Sequence, residues 1–180
     1  FQEGVGLMRT LFLSNIAMGL LIVGLIPFQQ EAVNWGQVHL PIICAVFFFL
    51  GQTFTFVAIR AGDVSVVTPT MGGKVIVVAV IASLFFGKDL SAIGWLAVII
   101  AGLSVILLGV SPGGVAGRKK VLVAIGWAGV SLLFFSTSDN LVSAWSPRFG
   151  QPAFVAVVFT FVALFSFGLI PFFNEPLRKI

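Results

Sequence analysis

The chain has no tyrosine, one cysteine, one histidine and very little charge: Asp, Glu, Lys and Arg make up 9% of its 180 residues. Each shortage excludes something. The lone Cys44 sits inside an apolar run, so neither a disulfide framework nor a thiolate metal site can form within the chain. One histidine, and one carboxylate within an apolar segment, are too few for the clusters that metal or acid–base chemistry needs, so the chain reads as not being an enzyme. No Walker-type glycine loop occurs, which argues against direct ATP coupling. No cofactor and no metal site are expected.

What fills the composition instead is apolar. Hydrophobic residues make up 59%, phenylalanine alone supplies 20 positions, and mean hydropathy is +1.15. A soluble domain is nearer half apolar and a quarter charged. The net charge of +4 comes from only ten basic residues, mostly beside apolar runs, which fits membrane loops rather than nucleic acid. Six apolar segments can be read: Thr10–Phe28, Leu40–Ile59, Val64–Phe86, Ile93–Val110, Val121–Ser143 and Ala153–Phe173. Spans of about 20 residues match a hydrocarbon core of roughly 30 Å. Backbone groups unsatisfied in lipid are costly, so the segments should be helices despite their phenylalanine and valine content. The fold class expected is all-α, a polytopic transmembrane bundle. Breaker-rich links join the spans at Gln29–His39, Ala61–Asp63, Gly87–Ser91, Ser111–Lys120 and Ala144–Pro152.

An internal repeat adds architecture. Gly24-Leu25-Ile26-Pro27-Phe28-Gln29-Gln30-Glu31 matches Gly168-Leu169-Ile170-Pro171-Phe172-Phe173-Asn174-Glu175 at six of eight positions, with an offset of 144. The offset covers five helices, an odd number, so the two copies should cross the membrane in opposite directions, as in inverted-repeat transporters. A five-helix unit predicts a ten-helix parent. The absence of an initial Met, and of a secretory signal before the first span, fits an internal fragment with one helix missing before Phe1 and three after Ile180.

The stretch Ala58-Ile59-Arg60-Ala61-Gly62-Asp63-Val64-Ser65, followed by Thr68-Pro69, Gly87-Lys88-Asp89-Leu90-Ser91, Gly94 and Gly102, resembles the EamA-like drug/metabolite transporter superfamily. Asp89 stands where that family usually has glutamate. The resemblance implies two inverted five-helix repeats, with residues 1–110 as the second to fifth helices, 111–120 as the inter-repeat loop and 121–180 as the first two helices of the second repeat. It also implies a secondary transporter that moves a small metabolite by alternating access. The partners expected are a small-molecule substrate and the lipid bilayer, with a homodimer left open, and the location is a cell membrane crossed several times. An enzyme acting on a lipid-linked substrate and a non-transporting scaffold are the alternatives.

Few side chains are candidates for the substrate site. Lys74 lies ten residues into its span, about 15 Å deep, where an ionisable group is costly unless paired or wet. Asp139 is the one carboxylate inside a span, and Ser136, Asn140 and Ser143 share its helical face. A substrate cavity would use Lys74, Asp139, Asn140 and Ser136, with Gln52 added from the second span. Thr53, Thr55 and Asn15 are weaker candidates, since small polar groups often satisfy a neighbouring backbone. Counted from the span starts, Asp139 sits up to eight residues deeper than Lys74, about 12 Å, so a direct salt bridge is not required. Pro69 should loosen the turn before it, and Gly72-Gly73 should allow close approach beside Lys74. Seven basic residues fall on one side of the alternating spans and two on the other, which makes the side of Arg60 and of Arg118-Lys119-Lys120 cytoplasmic.

Overall fold

Long apolar segments rich in valine and phenylalanine satisfy their backbone internally only as helices. The computed structural model, which describes residues 6–24, 27, 32–62, 64–109 and 118–172, is built that way, with no strand among the described residues. The helices are α1 (Leu7–Val23), α2 (His39–Ala61), α3 (Val64–Gly72), α4 (Lys74–Phe86), α5 (Ala92–Gly109), α6 (Arg118–Phe149) and α7 (Gln151–Ser166). A 3-10 turn over Phe167–Phe172 continues α7, and a shorter one covers Trp35–Gln37.

Among the described residues four stretches are long and apolar enough to cross a membrane: His39–Ala61, Val64–Phe86, Lys119–Phe149 and Gln151–Pro171. The other two expected spans are shorter as apolar helices, Met8–Val23 and Ala92–Ser104. Residues 25, 26 and 28–31, and 173–175, which carry much of the internal repeat, lie outside the described residues, as does the loop at 110–117. Large apolar side chains such as Leu84, Phe85, Ile93 and Leu107 are more than three-quarters or nearly three-quarters exposed. Water would penalise such a surface and hydrocarbon would not.

Two expected boundaries change. The link at Ala144–Pro152 is helical as far as Phe149, because Ala144-Trp145-Ser146 contains no breaker and Pro147 leaves the helix unbroken. Gly150 ends the run instead: its φ of 112° favours glycine, and it serves as N-cap of α7 with a proline in the first turn. The second change is within Val64–Phe86. Pro69 sits inside α3 and the helix is interrupted after it, at Gly73, whose N–H bonds Thr70 O at 3.0 Å. The flexible glycine pair, rather than the proline ring, sets the place of the break.

The chain divides into two compact units, and α2 and α6 contribute to both. The first unit holds the described residues up to Phe49 and from Val142 onward. Here α1 and α7 pack antiparallel: the Phe12 ring meets Phe167 edge-on at 5.4 Å, Asn15 Nδ2 donates to Ser166 Oγ at 2.8 Å, and Gly19 faces Phe159 and Ala163. Gly19 has no side chain to hold the helices apart, since a Cβ there would stand 2.9 Å from Ala163 Cβ. Gly6 and Gly150 are the N-caps of α1 and α7, and Leu7 and Gln151 their first residues, so both pairs repeat the offset of 144. Buried Phe149 anchors the segment before α2: its carbonyl accepts from Asn34 N–H at 3.1 Å and its ring meets Trp35 edge-on at 5.7 Å.

The second unit runs from Leu50 to Leu141. Small residues decide its closest approach. Ala58, Ala124 and Ala128 are fully buried around Val67, and Gly62 lies against Ala124. With alanines and glycines at the seam, α2 and α6 come close enough for polar groups to meet. Thr55 Oγ1 and Ser131 Oγ are 2.7 Å apart and both reach Gly51 O, at 3.0 and 2.7 Å. At Gly51 a Cβ would stand 2.9 Å from Phe135 Cγ, so glycine makes room for that ring. α5 leans on the α3–α4 stretch, where Gly102 receives the Ile76 side chain.

Candidate functional site

A one-residue turn at Gly73, whose backbone stays in the right-handed helical region, falls at the middle of its span. Lys74, the eleventh of the 23 residues in Val64–Phe86, becomes the first residue of α4. Helix α6 runs parallel to this stretch: Gly73 is near Leu132, and Asn140 Nδ2 donates to Val78 O at 3.2 Å. Between those contacts Lys74 Nζ meets Asp139 Oδ2 at 2.7 Å. The same ammonium lies over the Phe135 ring, 5.2 Å from its centre, a favourable position for a cation on an aromatic face.

The direct ion pair goes beyond what the span counts require. Those counts start α3 and α6 at one level, and the structure does not. Gly62, two residues before α3, already faces Ala124, the seventh residue of α6. Val64 is thus level with a point about five residues past Val121, roughly 7.5 Å along the axis, and that lead takes up most of the eight-residue difference. The flexible lysine stem covers the remainder.

Both charges face an open cavity of about 710 Å³. Its wall is mainly apolar, from Val75, Val78, Ala79 and Ala82 on α4 and Val98 on α5, with Lys88, Asp89 and Leu90 from the α4–α5 link. Lys74 and Asp139 remain 35% and 39% exposed there, so each is paired yet accessible. Comparison with known proteins places no other chain beside this one: no family model matches it, and no curated protein and no solved structure does.

The remaining candidates do not line the cavity. Asn140, 3% exposed, ties α6 to α4 through Val78 O and also donates to Ser136 O at 2.9 Å. Ser136 is fully buried with its Oγ lacking a partner, and Gln52 Oε1 on α2 is likewise buried without one. Neither Ser136 nor Gln52 lines the cavity. Thr55 and Asn15 belong to interhelical seams, bonded to Ser131 and Ser166. Among the described residues no group of three or more His, Cys, Asp or Glu side chains is arranged to hold a metal.

Sequence reasoning missed four contributors. Phe135 is one of 20 phenylalanines, and nothing in its context marks it as the ring beneath Lys74. Gly51 matters through the space it leaves for that ring. Lys88 and Asp89 fall in a link by sequence, and the fold brings them to the cavity edge. The signal that could have found them is Gly87, whose left-handed φ of 57° ends α4 and turns the link back toward the helix.

Proposed function

We propose that the chain is part of a secondary transporter that moves a small metabolite across a membrane through the cavity beside Lys74 and Asp139. One observation carries the reading. An apolar span holds a lysine at its midpoint, and that lysine pairs with a carboxylate on the wall of a cavity large enough for a small molecule. A bundle needing only stability gains little from such a pair, since apolar side chains of similar volume would serve as well.

The inverted-repeat architecture belongs to the same proposal. The sequence match at an offset of 144 is accompanied by antiparallel packing of α1 and α7, whose N-caps are glycines at that same offset. Together with the motif resemblance, this supports an EamA-like transporter with a five-helix unit, in which the two repeats rock about the site.

Alternating access is the property to test. Val78→Cys, in a cysteine-free background of the full-length protein, puts a thiol on the cavity wall. In sealed vesicles an impermeant thiol reagent should reach it when applied from either side, in separate preparations. Labelling from one side only would remove the transporter reading and favour a scaffold.

A further inference from the structure

Two oxygens at the level of the ion pair are buried with no hydrogen-bond partner among the described residues: Ser136 Oγ, on a fully buried side chain, and Gln52 Oε1. A buried acceptor left unmatched is costly, so such a group points to a partner that this arrangement does not supply. Leu132, Ser136 and Asn140 follow one another at four-residue spacing on α6, and the outer two meet the α3–α4 stretch at Gly73 and at Val78 O. Ser136 therefore faces that stretch between the two contacts. The register set by Gly62 and Ala124 puts Lys74 level with Ser136 and short of Asp139. On α2, Gly51 lies against the Phe135 ring that also receives Lys74, and Gln52 is the next residue. Gln52 stands two turns from Ile59, which packs with Met71 on the cluster around Val67, so it too lies on the α3–α4 side of α2.

We propose that Ser136 Oγ and Gln52 Oε1 form a second resting place for the Lys74 ammonium, occupied when Asp139 is engaged elsewhere. An ammonium carries three donors on a flexible four-carbon stem, and a hydroxyl and an amide oxygen can both accept from it. A helical side chain leans toward the N-terminus of its own helix. Because α4 and α6 run parallel, that direction takes Lys74 away from Asp139 and toward the level of Ser136. The lysine thus leaves its carboxylate without meeting hydrocarbon, and the same motion matches both oxygens. Asp139, which is 39% exposed on the cavity, is then free to hold another group. The use of this motion in a transport cycle rests on the transporter reading above, whereas the second position itself does not.

Melting temperatures of the full-length protein in one detergent test it. In the otherwise natural protein, Ser136→Ala combined with Gln52→Met should leave the melting temperature unchanged or raise it, because two unmatched acceptors are removed. In an Asp139→Asn background, where Lys74 has moved to them, the same two substitutions should lower it by about 2 °C or more. A structure of Asp139→Asn should show Lys74 Nζ bonded to Ser136 Oγ. A fall in the natural background, which a bound water on the two oxygens would produce, overturns the proposal. So does an Asp139→Asn protein in which the two substitutions cause no loss, or one that does not fold, since Lys74 would then have no second place to go. Opposite responses in the two backgrounds with one-sided labelling of Val78→Cys remove transport and leave a two-position lysine. Two-sided labelling without those opposite responses leaves transport and removes the second position.

Discussion

At the scale of single residues, the ion pair is the feature whose energetics can be separated from its function. Removing one partner leaves a charge in apolar surroundings, whereas removing both leaves none. Lys74→Met and Asp139→Leu should therefore each lower the melting temperature in detergent, and the double variant should lie above the less stable single one. Strictly additive losses would mean that the two side chains do not interact in the folded protein. Lys74 and Asp139 were legible in the sequence because charge is so scarce that any ionisable residue inside a span is conspicuous. Phe135 and Gly51 were not, because an apolar ring and a missing side chain look the same in a supporting position as anywhere else in such a composition.

At the scale of helices, glycine has two uses that spacing alone does not separate. Gly19 stands where a Cβ would press on Ala163 across the α1–α7 contact, while Gly126 on α6 has open space around it. Gly19→Val should destabilise the protein by about 1–3 kcal/mol through overpacking. Gly126→Ala should be neutral or stabilising by up to about 1 kcal/mol, because alanine is the better helix former. Thermal unfolding in one detergent checks both, and an unaffected Gly19→Val would contradict the close approach of α1 and α7. The long apolar segments were legible as helices from length and hydropathy. Their ends were less so: α6 continues through Pro147 to Phe149, and the break beside Lys74 falls at Gly73 rather than before Pro69.

At the scale of the whole molecule, orientation and repeat symmetry make a joint prediction. Cysteines placed at 29–31 and at 173–175 should be labelled from opposite sides of a sealed membrane, and a reporter in the Ser111–Lys120 loop should read as cytoplasmic. The first expectation follows from the odd number of helices between the matching segments. The second follows from the seven-to-two distribution of basic residues. Labelling of both segments from the same side would refute the inverted repeat, and a loop reporter active only outside the cytoplasm would reverse the orientation without touching the repeat.

The sequence by itself determined that the chain is helical and suited to a bilayer, because length and hydropathy are one-dimensional properties and hydrocarbon leaves a spanning backbone few alternatives. It also marked Lys74 and Asp139 as the charges that need an explanation. Only the tertiary structure decided that they meet. That contact depends on the axial offset between α6 and α3, set where Gly62 and the small residues around Ala124 let the helices close. Such an offset comes from side-chain packing between segments about 60 residues apart, and no periodicity within either segment encodes it.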